Sequence, residues 1–228
     1  MSYNKILDRD IETIKKDLLA IIESTKTQYA NTFESLKTKN YEIAQEVINN
    51  DIKINDMQNN FTRMALWKIA KQQMVAGDLR LAVGGVLICR EVERIADVAK
   101  NICYFSLKYK PETIEIQQIS KMFDLVNKML NIILNLVENY TEDQHQKVLQ
   151  VEEKITDEFN LINKTLAEKI LNSKSKDEAE KIITIVKQLK NLERASEQLI
   201  NIEETVQFIR TGKFEELQEY INKKNEKK

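Results

Sequence analysis

The chain has 228 residues, 42% of them hydrophobic and 31% charged, with 35 basic side chains against 36 acidic ones and a net charge of −1. That length fits one large domain or two small ones, and the balanced, dispersed charge excludes a global field for nucleic acid or an anionic membrane. With only four glycines and one proline, breakers are scarce and long uninterrupted helices are the economical reading, and no alternating runs flank the Asn-Gly or Asp-Gly turns that strand hairpins use.

A first helix is expected from about Asn4 to Leu36, where Ile6, Ile14, Leu18, Ile21 and Ile22 recur at helical spacing. A second, about Tyr41 to Gln73, carries Ile43, Val47, Ile54, Met57, Phe61, Met64 and Ile69 at intervals of three or four. The break at Ala76-Gly77-Asp78 offers Asp78 as the N-cap of a third helix that ends near Tyr109, before Pro111. Further helices are expected at about Thr113 to Asn139, Asp143 to Leu171 and Asp177 to Arg210, with Gly212 as the final stop. The basic tail from Lys223 to Lys228 reads as a solvated terminus.

Three helices on each side of the lone proline repeat one plan. Val92 to Ile102, VERIADVAKNI, aligns without gaps on Leu192 to Ile202, LERASEQLINI, keeping Glu-Arg, an acid four residues after that Glu, and Asn-Ile. Periodicity alone would not hold charged residues in register, so the repeat marks duplication. A weaker echo joins Asp51-Ile52-Lys53-Ile54-Asn55-Asp56 to Glu152-Glu153-Lys154-Ile155-Thr156-Asp157. The expected fold is all-α, two tandem three-helix bundles spanning residues 1–110 and 111–228.

Several chemistries are excluded. Cys89 and Cys103 lie on one expected helix, roughly 21 Å apart at the helical rise, too far to bond to each other. His145 is the only histidine and CxxC is absent, so a Glu-x-x-His di-iron centre cannot be built and no Ser/His/Asp or Cys/His triad finds support. No phosphate-binding GxxxxGK[ST] loop occurs, and an enzyme is not expected. No apolar run reaches the roughly 18 to 20 residues of a membrane span, and the first ten residues lack a signal peptide's apolar region, so a cytoplasmic location is expected.

The acid pairs Glu93/Asp97 and Glu193/Glu197 lie well round the helix from the core stripes. One reading is a solvated face on which Arg94 pairs with Asp97 and Arg90 with Glu93, each pair worth a few tenths of a kcal/mol. The other is a shared hard cation, since carboxylates at i,i+4 repel each other but converge as oxygen ligands.

In these residues the chain resembles the PhoU family, helical regulators associated with bacterial phosphate uptake. Its acidic Glu/Asp-x-x-x-Asp motif is similar to Glu93-Arg94-Ile95-Ala96-Asp97 with Asn101-Ile102, its Ala-x-Asp-Leu-Arg helix entry to Ala76-Gly77-Asp78-Leu79-Arg80, and its closing aromatic and Thr-Gly segment to Val206 through Lys213. The resemblance implies multinuclear metal sites of divalent or iron-type ions (iron, zinc, manganese or magnesium). Its implied ligands are Glu93 and Asp97 in the first site and Glu193 and Glu197 in the second, completed by Asp56 and Asp157 from the second helix of each repeat. It also implies contacts with the phosphate ABC transporter and a phosphate sensor kinase, membrane association only through such partners, and, with the long amphipathic helices, a homodimer. Arg94 and Arg194 are expected to anchor carboxylates rather than bind phosphate. Departures from the family pattern are Met74 where proline is common, Tyr104 where an acid often follows Asn-Ile, and Glu197 in place of Asp. The last favours the first site over the second. A structural adaptor with decayed metal sites is the competing expectation.

Overall fold

In the computed structural model, which describes residues 3–139, 143–214 and 216, the apolar stripes fold as six helices. They are α1 (Tyr3–Thr38), α2 (Tyr41–Gln72), α3 (Ala76–Tyr109), α4 (Thr113–Glu138), α5 (Asp143–Leu171) and α6 (Lys176–Thr211). No strand occurs among the described residues, and the tail from Lys223 to Lys228 lies outside them.

Local chemistry explains most of the boundaries. Asn40 caps α2, its side-chain oxygen accepting from the Glu42 and Ile43 amides. Ser175 caps α6 by accepting from Glu178, and Glu112 forms a capping box with Glu115 at the start of α4. At the other end of α6, Gly212 takes φ 78° and donates its amide to the Phe208 carbonyl, as a helix-stopping glycine does. The α2–α3 link differs from the sequence expectation. Gln73 already turns left-handed and Val75 is extended at φ −131°, so α3 begins at Ala76 with Val75 in the capping position. Asp78 lies in the first turn instead, where its charge suits the positive end of the helix dipole.

Helices α1, α2 and α3 pack on one another, as do α4, α5 and α6. These two three-helix bundles are joined through α3 against α6 and α1 against α4. Arg80 donates to the Ile209 carbonyl at 3.1 Å near one end of the α3–α6 contact, and Tyr109 bonds to Thr184 at the other, so the duplicated helices run antiparallel. Their approach is close: a methyl built on Gly84 would overlap Ile209. Across α1 and α4, Phe123 stacks on Phe33 with ring centroids 5.1 Å apart and tilts against Tyr29 at 4.9 Å. One core runs through both bundles, including Ile95, Ile102, Phe123, Leu192 and Leu199. Full burial of each such side chain contributes roughly 1.5–3 kcal/mol.

Cys89 and Cys103 are buried free thiols. No helix among the described residues is long and apolar enough to cross a membrane.

Candidate functional site: two acidic clusters

The core faces of α3 and α6 leave their acidic motifs on the side turned toward α2 and α5. In the first repeat, α2 presents Asp51 rather than Asp56. Asp51 belongs to the buried stripe Ala44, Val47, Asp51, Ile54 and Phe61, whereas Asp56 falls off that stripe and is exposed. Asp51 is only 3% exposed and accepts from Gln28 on α1 at 3.2 Å, and the same amide also donates to the Ala96 carbonyl of α3 at 3.1 Å. One glutamine thereby ties all three helices around a buried carboxylate.

The cation of this cluster is supplied by the chain itself. Lys100 donates to Asp51 at 2.7 Å and, one helical turn from its own position, to Asp97. Burial pulls the Lys100 pKa down, but the hydrogen bonds and charges of Asp51 and Asp97 outweigh it and hold the ammonium above its usual range. Glu93 stands beside the pair: its own burial, then the charges of Asp97 and Asp51, push its carboxyl above the ordinary value, with Lys100 and Arg94 opposing. Arg94 donates to Glu91 at 3.0 Å, in place of the expected pairing with Asp97.

The second repeat uses the corresponding positions differently. Here α5 brings Glu152, the counterpart of Asp51, while Asp157 is exposed. Burial, then Glu153, raises the Glu152 pKa; a Thr156 hydrogen bond lowers it, and the charges of Glu197 and Glu193 raise it further. The charges of both α6 motif acids thus reach Glu152 across the α5–α6 contact. The position of Lys100 is taken by Ile200. Lys190 pairs with Glu193 from the neighbouring turn, its side chain 44% exposed, and Glu197 is exposed.

All six carboxylates, Asp51, Glu93, Asp97, Glu152, Glu193 and Glu197, are the hard oxygen donors that a divalent cation takes. Their present arrangement is not a finished cage, since among the described residues no three or more His, Cys, Asp or Glu side chains converge on a single metal position. In the first repeat the ammonium of Lys100 occupies the space between two of the donors. In the second, a cation would have to draw Glu193 from Lys190 and Glu197 from solvent. The inward-facing acids of the second helices were readable from the sequence only through register: Asp51 sits in phase with Val47 and Ile54, and Glu152 with Val148 and Ile155. Nothing local distinguished Lys100 from the other lysines of a charged helix.

A family model described as the PhoU domain matches residues 18–105 and again 119–206. Among curated proteins, the chain is 26% identical over 212 residues to the phosphate-specific transport system accessory protein PhoU homolog of Clostridium acetobutylicum, covering 92% of this chain and 96% of that one. It is 28% identical over 193 residues to the homolog from Caulobacter vibrioides, covering 82% of each. Among solved structures it superposes on PhoU from Pseudomonas aeruginosa with a TM-score of 0.80 at 23% identity, covering 90% of this chain and 99% of that one. For the phosphate transport system regulatory protein PhoU of Streptococcus pneumoniae the TM-score is 0.76 at 19% identity, with 92% and 99% covered. The two matched segments, one per bundle, take up most of the sequence, and the chain belongs to the PhoU family.

Proposed function

We propose that this chain is a non-enzymatic regulator of phosphate uptake and phosphate-responsive signalling, working by contact with the phosphate transporter and its sensor kinase. The observation that carries the reading is the tandem family match over both bundles, each with an acidic cluster at the same place on its third helix. The relatives' names, which attach them to phosphate-specific transport, support it. Deleting the gene in its source cell should change phosphate accumulation or phosphate-responsive transcription, and tagged protein should retain the transporter or the kinase from detergent extracts. An unchanged phosphate response would sink the assignment.

Cation binding is part of the proposal, with a preference between the repeats. A bound divalent ion would supply positive charge that links the helices of a bundle. In the second repeat Glu152, Glu193 and Glu197 would hold it, since Ile200 contributes no competing charge. Lys100 counts against the first repeat, because a divalent ion there must displace an ammonium bonded to two carboxylates. The adaptor reading draws on the same lysine, which neutralises its cluster without metal. It predicts that neither repeat takes up cations and that partner binding survives Glu193→Gln with Glu197→Gln. Loss of cation and partner binding with retained helicity in that variant supports the regulator. A second copy of the chain is the proposed cover for Ile52, Leu66 and Trp67, large apolar side chains that α2 leaves exposed.

A further inference from the structure

A cleft of about 460 Å³ lies between the bundles, bounded by the C-terminal part of α3 and the N-terminal half of α6. Such a volume lies in the range of small-molecule sites. Four cations line it, Lys108 from α3 and Lys187, Lys190 and Arg194 from α6, with no carboxylate among the lining residues. Lys190 is engaged by Glu193, whereas Lys187 and Arg194 are exposed, seven residues apart on the same face of α6. In a chain with balanced charge, this concentration of one sign calls for an anion.

Two other groups narrow its class. Tyr104 lines the cleft with 52% of its surface exposed, which leaves an aromatic side chain available to a ligand. Gln188, only 7% exposed, lines the same cleft, and its Oε1 meets no donor among the described residues. A buried acceptor without a partner is costly, and a ligand N–H would recover that cost. Cations for phosphates, an aromatic face and an acceptor for an N–H together describe a nucleotide. Divergence between the repeats points the same way. At the hundred-residue offset, Tyr104 corresponds to Glu204, Asn191 to Glu91 and Lys187 to Leu87. The duplicated surface at the other end of the antiparallel pair therefore lacks the feature.

We propose that this cleft between the bundles binds a mononucleotide, its phosphates on Lys108, Lys187 and Arg194, its base against Tyr104 and Gln188. The site borders the second acidic cluster, since Lys190 lines the cleft and pairs with Glu193, but its phosphate contacts need no metal there. Isothermal titration of the full chain with ATP, in EDTA so that no divalent ion can bridge to the carboxylates, tests it directly. One ATP should bind per chain. Lys187→Glu with Arg194→Glu should weaken it by about a hundredfold, as expected for two charge-assisted contacts. The milder Lys187→Gln with Arg194→Gln, checked for native helicity, should weaken it in the same direction. Tyr104→Ala and Gln188→Leu should each weaken ATP binding by about threefold to tenfold while leaving tripolyphosphate unaffected. No binding of ATP, or binding that either cation-deleting pair leaves unchanged, overturns the site. Tripolyphosphate binding as tightly as ATP overturns the nucleotide assignment.

Discussion

The two bundles descend from one plan but place their cations differently. In the first repeat, Lys68 on α2 reaches Asp10 with side-chain exposures of 8% and 16%, and Lys100 reaches Asp51 with 22% and 5%. In the second, Lys190 with Glu193 and Lys181 with Glu115 leave the lysines 44% and 30% exposed. The first helix of each bundle differs in keeping. The buried face of α1 carries Thr25, Gln28, Thr32 and Ser35, whereas the residues buried on α4 are all apolar, from Ile116 to Leu136. A buried carboxylate in the first repeat thus has a cation and an amide already in place, while the acids of the second rest partly on solvent. Similar acidic motifs on similar helices need not have the same appetite for metal, because the neighbours decide how much charge is left uncompensated.

That contrast can be broken most forcefully at Lys100. Replacing it with Met leaves Asp51 buried beside Glu93 and Asp97 without a cation, which should cost about 3 kcal/mol in urea unfolding with chelator present. Adding manganese or magnesium should return part of the loss. Removing the lysine that pairs with the second cluster, Lys190→Ala, breaks a half-exposed pair and should cost less than about 1 kcal/mol in the same assay.

The α3–α6 contact offers a second comparison between duplicated positions. Gly84→Ala drives a methyl into Ile209 and should destabilise by about 1–3 kcal/mol, while Thr184→Ala, at the corresponding position of α6, should stay within about 1 kcal/mol. Equal losses would mean that the two ends of the junction are packed alike.

The smallest effect concerns acid stability. Donation from Lys68 holds the Asp10 carboxyl below its ordinary value of 3.8, against the opposing effect of burial, with Gln72 and Lys71 adding to the lowering. Its contribution is therefore present above 3.8 and lost as pH falls through the lower folded value. Asp10→Asn should lower the melting temperature at neutral pH, with the gap to the parent protein closing only in that strongly acidic range.

The helices were legible almost to the residue because each carries a long 3.6-residue stripe and ends at a residue with definite chemistry, such as Asn40, Pro111 or Gly212. The start of α3 was not: Asp78 has the chemistry of a cap, yet the left-handed turn at Gln73 lets the helix begin at Ala76. For the candidate site, the motif acids were visible through repetition, while their neighbours depended on packing. Asp56 and Asp157 share the echo with Asp51 and Glu152, but only the latter pair lies in phase with the buried stripes of α2 and α5. Lys100 and Gln28 acquire their roles only when α1, α2 and α3 are brought together. A single sequence orders residues along a helix, but it does not reveal which turn of the next helix they meet.

In the proposed function Lys100 serves as the cation of the first repeat and leaves divalent ions to the second. Manganese binding followed by electron paramagnetic resonance, on the parent protein, Lys100→Met, Ile200→Lys, and Glu193→Gln with Glu197→Gln, tests it most directly. Manganese should bind the parent, be lost in the glutamine pair, bind about tenfold more weakly to Ile200→Lys, and find an additional site in Lys100→Met. Binding in the parent that survives the glutamine pair but disappears in Glu93→Gln with Asp97→Asn would contradict it.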